Sequence, residues 1–308
     1  MDRILVTPRS LTATPHAAIA ALKSEGFDVV YSTPGKLPDE AELLRLVPDV
    51  VGWLAGVEPV SADVLRAAEK LRVISRNGTG VDNLPMTVAQ ERGIVVRRAE
   101  GANAAGVAEL AIALMLAALR RLPLTDTGIK AGQWPRKRGF EIRGRTVGVV
   151  GCGAVGAEVA RLAAALGANI LAYDPRRPNI DIPSTQFEWA DIPELLARSF
   201  VVSLHCPAPE DGRPLIDARR LALMPKGAFL VNTARGSLID EAATITALES
   251  GQLAGYATDV FVEEPPGSLA LFGRPDVIAT SHIGGFTDES VDRATEIAVV
   301  NLLESLKR

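Results

Sequence analysis

Three residues able to do acid–base and anion chemistry follow apolar, strand-like runs in the second half of the chain. Arg235 stands in Val231-Asn232-Thr233-Ala234-Arg235-Gly236, Glu264 in Asp259-Val260-Phe261-Val262-Glu263-Glu264-Pro265, and His282 in Thr280-Ser281-His282-Ile283-Gly284-Gly285. Open parallel sheets bind ligands at the C-terminal ends of their strands, so an arginine, an acid and a histidine at three neighbouring ends can share one cleft. Arginine offers a carboxylate a planar, permanently charged fork. Histidine titrates near neutrality, and a neighbouring carboxylate favours its protonated form. The set suits hydride transfer to or from an alcohol that bears a carboxylate. Taken singly, each residue has a plainer reading. Arg235 could be a surface ion-pair partner, Glu264 a loop carboxylate with Glu263 as its rival, and His282 a satisfied core histidine.

A second pattern supplies a place for a redox cofactor. Val147-Gly148-Val149-Val150-Gly151-Cys152-Gly153-Ala154-Val155-Gly156 reads as a buried strand entering a glycine-rich turn, with a helix following over 157–166. Gly151, Gly153 and Gly156 fit G-x-G-x-x-G: the first makes the tight turn, the second lets backbone approach a pyrophosphate, the third lets helix and strand pack closely. The helix N-terminus offers N–H groups and partial positive charge to the phosphates. Eighteen residues past Gly156, at the end of a second apolar strand, stands Asp174, where a carboxylate would hydrogen-bond the adenosine ribose. That carboxylate repels a 2′-phosphate and favours NAD over NADP. Arg176 and Arg177 pull the other way, since a guanidinium can take the phosphate.

Composition bounds the rest. The chain has 308 residues, 47% hydrophobic and 23% charged, with a net charge of −4, an ordinary soluble globular make-up with room for about two domains. The densest basic stretch is only Arg136-Lys137-Arg138, so neither nucleic acid nor an anionic membrane is expected as partner. Cys152 and Cys206 form no C-x-x-C pair, and both are expected to be small buried hydrophobes in a reducing compartment. Three histidines without close spacing predict no metal site; His16 and His205 are expected to be structural. Strand character begins by Ile4, too early for a secretory signal, and the longest apolar run, 110–119, is too short to span a bilayer. The expected location is the cytoplasm. Trp134 is either a core residue or an interface anchor.

Apolar β-branched runs alternate with amphipathic stretches, the pattern of parallel sheets with crossover helices. Strands are predicted at 4–7, 28–32, 50–54, 72–75 and 94–97, then at 147–150, 170–173, 200–204, 229–233, 255–258 and 277–279. A helix is expected over 61–70, capped by Ser61 with Asp63 in its first turn. A long buried helix is expected over 102–121 and a final one over 288–306. The fold class is α/β with two doubly wound parallel-sheet domains. Because the nucleotide pattern lies in mid-chain, a Rossmann domain over 101–284 is expected to be inserted into a flavodoxin-like substrate domain of 1–100 and 285–308.

These segments, together with Asn77-Gly78-Thr79-Gly80-Val81-Asp82-Asn83, resemble the D-isomer-specific 2-hydroxyacid dehydrogenases, above all the D-3-phosphoglycerate dehydrogenase branch. The resemblance runs from about residue 49 to 306 and implies a usually dimeric enzyme that exchanges hydride between NAD and a small 2-hydroxy or 2-keto acid held in the cleft between its domains. It assigns Arg235 to the substrate carboxylate and carbonyl, His282 to the hydroxyl proton, and Glu264, directly before Pro265, to pairing with His282. It gives backbone N–H groups around Thr79 and Gly80 a share of the carboxylate. Along the cofactor it places the three glycines, Ala154, Val155 and Asp174, then Cys206, Thr233, Ala234, Asp259 and Gly285.

The chain departs from that branch in three places. Phosphoglycerate enzymes usually carry an arginine for the substrate phosphate in the strand-end segment that is here Val51-Gly52-Trp53-Leu54-Ala55-Gly56-Val57-Glu58, which has no basic residue and in which Glu58 is expected to repel a phosphate. Gly106 stands where the family often has a serine near the nicotinamide. With the chain ending at Arg308, the regulatory serine-binding domain of longer relatives, and feedback control through it, is expected to be absent. Glyoxylate or hydroxypyruvate reduction is therefore the alternative to phosphoglycerate oxidation. Formate oxidation is disfavoured by Glu264 where those enzymes use glutamine; phosphite oxidation remains a rarer alternative on this scaffold. A non-enzymatic, NAD-sensing corepressor is the remaining reading, disfavoured by the lack of a basic or disordered extension.

Overall fold

The computed structural model describes residues 1–14, 16–209, 211–267 and 270–307. The chain forms two compact units, one of Met1–Asn103 with Thr287–Arg308, the other of Ala104–Phe286.

The first unit is built on five parallel strands, β1 (Arg3–Val6), β2 (Asp28–Tyr31), β3 (Val50–Ala55), β4 (Val73–Arg76) and β5 (Val95–Arg98), in the order β2-β1-β3-β4-β5. This is the doubly wound order of flavodoxin-like sheets. Side chains alternate across the sheet, so Leu5, Trp53 and Ile74 pack on one face while Ile4, Val6, Leu54 and Val73 pack on the other. The second face is completed by the Asp288–Leu306 helix, which contributes Ala298, Val299, Leu302 and Leu306. It approaches β3 so closely that a Cβ on Gly52 would lie 3.1 Å from Leu306 and 3.2 Å from Leu302. The Ser75 hydroxyl also donates to the Ala298 carbonyl at 2.8 Å.

The second unit holds seven parallel strands, β6 (Thr146–Val150), β7 (Asn169–Tyr173), β8 (Phe187–Trp189), β9 (Val201–Leu204), β10 (Ala228–Asn232), β11 (Leu253–Thr258) and β12 (Val277–Ala279). Their order is β12-β11-β10-β9-β6-β7-β8, the dinucleotide-binding order with one strand added at the edge. The Ala104–Arg120 and Ala154–Ala165 helices pack on one face against Val147, Val149, Phe229 and Val231; Val150, Val202, Leu204 and Leu230 serve the other. Register matters most here. Leu204 pairs with Asn232, Asn232 with Thr258, and Thr258 with Ala279, so four strands of the chain end side by side.

Three expectations need correction. The helix expected over 102–121 stops at Arg120 because Arg121 adopts a left-handed conformation, φ +53°, and a second helix, Leu122–Lys130, follows. The helix expected over 61–70 is the shorter Ala62–Ala67, capped by Ser61 as expected. Strand β8, absent from the predicted set, carries no sequence signal, since three residues give no periodicity to read. Among the described residues no helix is long and apolar enough to cross a membrane, and no group of three or more His, Cys, Asp or Glu side chains could hold a metal ion.

Candidate active site

The glycine turn begins where β6 ends. Gly151 donates its N–H to the Tyr173 carbonyl at 2.8 Å, which sets the turn beside the end of β7 and therefore beside Asp174. The helix expected to start at 157 begins directly after the turn, at Ala154. The three glycines then differ in what a side chain would meet. At Gly151, with φ +89°, a Cβ would sit 2.7 Å from the main chain of His205 and Cys206, and at Gly156 it would run into the Gly151 carbonyl. At Gly153 it would meet nothing within 4 Å. The fold itself requires the first and third glycines, whereas the backbone at the second is bare and open to a ligand. Gly153 is also the N-cap of the Ala154–Ala165 helix and supplies no side-chain cap, so the first N–H groups remain for an anion.

Asp174 is 6% exposed and accepts the Cys152 N–H at 2.9 Å through Oδ2 and the Arg176 N–H at 2.8 Å through Oδ1. Its carboxylate is thus pinned at the strand end, as a ribose acceptor must be. The Arg176 side chain, 81% exposed, approaches it only to 3.7 Å. These residues fit a bound dinucleotide. The two thiols nearby are poor nucleophiles: burial, reinforced by the Asp174 charge, pushes the Cys152 thiol up to about 12 and Cys206 to about 11. Cys152 is buried as expected, while Cys206 keeps partial exposure. His205, just past β9, is held between two hydroxyls, Ser203 at 2.8 Å from Nε2 and Thr233 at 3.4 Å from Nδ1. The residue keeps some exposure, yet its ring is desolvated enough to be pushed down to about 3. Burial therefore keeps its imidazole neutral at neutral pH.

At the other strand ends, His282 and Glu264 meet: Nδ1 lies 2.6 Å from Oε2. Glu264 is fixed in turn by accepting the Phe261 N–H at 3.0 Å through Oε1. Glu264, and not its rival Glu263, is thus the acid that meets His282. His282 adopts φ +55°, left-handed for a non-glycine residue. What holds it there is Asp259, only 2% exposed. Its carboxylate accepts the Thr280 hydroxyl at 2.6 Å, the Ile283 N–H at 2.9 Å and the Gly284 N–H at 2.8 Å.

Arg235 lies on the neighbouring turn. Its backbone is shaped by the buried Asn232, whose side chain accepts the Ala234 N–H at 3.1 Å and donates to the Arg235 carbonyl at 2.8 Å. At Gly236 a Cβ would strike the main chain of Phe261 and Val262, so the turn carrying Arg235 lies directly on the loop that leads to Glu264. Asn232 and Thr280 organise the site but carry no sequence signal beyond a polar residue at a strand end. Thr79 and Gly80 belong to the first unit, in the loop after β4; the Gly80 carbonyl accepts from Arg76 Nε at 2.8 Å. Glu58, expected to confront a phosphate, has no solvent exposure and turns its carboxylate into the unit.

Comparison with known proteins places the chain in a family. The family model described as D-isomer specific 2-hydroxyacid dehydrogenase, NAD binding domain, matches residues 112–284. A D-3-phosphoglycerate dehydrogenase of Methanocaldococcus jannaschii is 43% identical over 271 residues, 86% of this chain and 52% of the relative, so the chain spans about half the length of that protein. A hydroxypyruvate reductase of Thermotoga maritima is 39% identical over 261 residues, 83% of this chain and 84% of the relative. Among solved structures, a glyoxylate reductase from Paecilomyes thermophila aligns over 100% of this chain and 96% of its own, at 30% identity and a TM-score of 0.86.

Two outcomes test the reading of the glycine turn and of His205. Gly153→Ala is expected to leave stability within about 0.5 kcal/mol while weakening NADH binding, followed by fluorescence, about tenfold or more. Gly156→Ala is expected to lower the unfolding midpoint as well. His205 binds its proton more weakly folded, at about 3, than unfolded, at 6.5. The unfolded state therefore gains the proton first as pH falls, and stability is lost through that window. Denaturant titrations should show wild type losing up to about 1.4 kcal/mol per pH unit relative to His205→Asn below that upper value.

Proposed function

This chain belongs to the D-isomer specific 2-hydroxyacid dehydrogenase family, and on that premise we propose that it is a cytoplasmic, NAD-dependent enzyme interconverting a small D-2-hydroxy acid and its 2-keto acid. The observation that carries the proposal is the 2.6 Å contact between His282 and Glu264, set beside the turn of Arg235.

Bound NAD(H) supplies or accepts the hydride at the substrate C2. The Arg235 guanidinium binds the substrate carboxylate and polarises the carbonyl. His282, its Nδ1 held by Glu264, gives a proton through Nε2 to the carbonyl oxygen in reduction and takes it from the hydroxyl in oxidation. Backbone N–H groups around Thr79 and Gly80 share the carboxylate. Asp174 accepts a ribose hydroxyl and the first turn of the Ala154–Ala165 helix meets the pyrophosphate. Ala154, Val155 and Cys206 border that cofactor, with Thr233, Ala234, Asp259 and Gly285 on the adjoining strand ends. The Asp174 carboxylate is what favours NAD over NADP. A homodimer belongs to the same proposal: Leu122 and Ile129 on the Leu122–Lys130 helix, and Trp134 just beyond it, are 53, 51 and 78% exposed, apolar side chains that a second copy would cover.

For the substrate, the favoured class is an unphosphorylated 2-keto acid such as hydroxypyruvate or glyoxylate. Its support is the segment 51–58, which offers no cation to a phosphate, and the likeness to a hydroxypyruvate reductase and a glyoxylate reductase. A phosphorylated substrate is the second reading, favoured by the 43% identity to a phosphoglycerate dehydrogenase.

The test is NADH oxidation, followed by absorbance, with glyoxylate, hydroxypyruvate, pyruvate and 3-phosphohydroxypyruvate. Turnover is expected to be fastest with an unphosphorylated acid and to fall roughly 10²- to 10⁴-fold in His282→Ala. Arg235→Ala is expected to lose roughly 10²- to 10³-fold in kcat/KM for the keto acid with NADH affinity unchanged. Full turnover in either variant would remove the assigned chemistry, and a preference for the phosphorylated acid would replace the substrate class.

A further inference from the structure

Beneath the strand ends of the first sheet lies a polar cluster that the proposed chemistry leaves unused. Thr7, Trp53 and Glu58 have no solvent exposure, and Arg76 has 5%. A carboxylate and a guanidinium cost several kcal/mol each to bury, so their retention calls for an explanation beyond packing. Glu58 Oε1 accepts the Gly56 N–H at 2.9 Å and the Thr7 hydroxyl, and Thr7 accepts the Trp53 indole N–H at 2.9 Å. Glu58 Oε2 accepts no hydrogen bond and is packed so tightly that a Cβ on Gly56 would lie 2.6 Å from it. Burial pushes the Glu58 pKa up; hydrogen bonds from Thr7 and the backbone, and the positive charge of Arg76, oppose the rise.

Arg76 directs its donors to main-chain carbonyls on both sides. Nη1 reaches Ala55 at 3.2 Å and also Gly56, while Nε reaches Gly80 at 2.8 Å. Asn83 adds a hydrogen bond to the Glu58 carbonyl at 2.7 Å. Arg76 thereby ties the turn after β3 to the loop after β4, while Glu58 takes the N–H of the same Gly56 whose carbonyl Arg76 engages. In a trans peptide the C=O and the following N–H point in opposite directions. Drawing the Gly80 carbonyl onto Arg76 therefore aims the Val81 N–H away from the cluster.

We propose that Glu58 and Arg76 are positioning residues for the substrate-carboxylate loop, fixing the peptides of Thr79, Gly80 and Val81 that are to receive the carboxylate. This rests on the dehydrogenase reading above. It also gives the buried acid a use: Glu58 fixes the N–H of Gly56, whose carbonyl Arg76 takes, and so sets the turn from which Arg76 reaches the loop.

The test compares wild type with Glu58→Gln, which keeps the shape and removes the charge. The best keto acid from the panel gives KM and kcat, fluorescence gives NADH affinity, and the substrate mimic oxamate is titrated into the NADH complex. The expected result is a KM raised about tenfold or more, oxamate weakened by a similar factor, and NADH affinity unchanged. Thr7→Val, which removes one hydrogen bond, is expected to raise KM by a smaller factor, and it carries the test if Glu58→Gln does not fold. An active wild type whose variants keep KM and oxamate affinity, even at reduced stability, would make the cluster purely structural and overturn the proposal alone. A wild type that reduces no keto acid would overturn the dehydrogenase reading, and this proposal with it.

Discussion

The candidate active site hangs on one buried carboxylate. Asp259 gathers a hydroxyl and two backbone N–H groups from residues 280–284, and between them His282 is forced into left-handed backbone space. Such a conformation costs a non-glycine residue roughly 1–3 kcal/mol. Hydrogen bonds to a charged acceptor contribute about 1.5–3 kcal/mol each, so three of them outweigh the strain. The gain is orientation: the imidazole meets Glu264 through Nδ1 at 2.6 Å, leaving Nε2 as the ring nitrogen not engaged by that carboxylate.

The same device recurs at each strand end that matters. Asn232 shapes the turn of Arg235 with its side-chain amide. Asp174 takes the Cys152 N–H and so braces the glycine turn, and Glu58 does the like for Gly56 in the first unit. Each is a polar side chain at or just past the end of a parallel strand, hydrogen-bonded to the backbone of a turn at its own or a neighbouring strand end. Because β9 to β12 are in register, three of the turns they precede emerge next to one another. The sheet sets where the turns are, and the buried polar groups set their shapes. Both thiols of the second unit are kept protonated by burial near Asp174.

Much of this was legible in the sequence, and the exceptions have physical causes. Buried parallel strands announce themselves as apolar β-branched runs, so β1 to β7 and β9 to β12 were anticipated to within a residue or two. Strand β8, three residues at a sheet edge, is too short to leave a pattern. The early start of the nucleotide helix is not legible because glycine reads as a breaker, although Gly156 sits within the helix where any Cβ would strike Gly151. The break at Arg121 depends on one backbone angle that arginine does not advertise. Within the site, motif resemblance selects Glu264 over Glu263 as the partner of His282, whereas spacing alone leaves both acids open. The grip of Asp259 on residues 280–284 and the inward turn of Glu58 were invisible, since both depend on which way a side chain faces at the end of a strand.

The central claim is that a hydride passes between the nicotinamide C4 and the substrate C2 while His282 handles the oxygen-bound proton. The most direct measurement is product analysis by NMR after reduction of a 2-keto acid with NADH dideuterated at C4. The account predicts a D-2-hydroxy acid carrying deuterium at C2 and a solvent-exchangeable proton on oxygen. A product whose C2 hydrogen comes from water, or formation of the L-isomer, would contradict it.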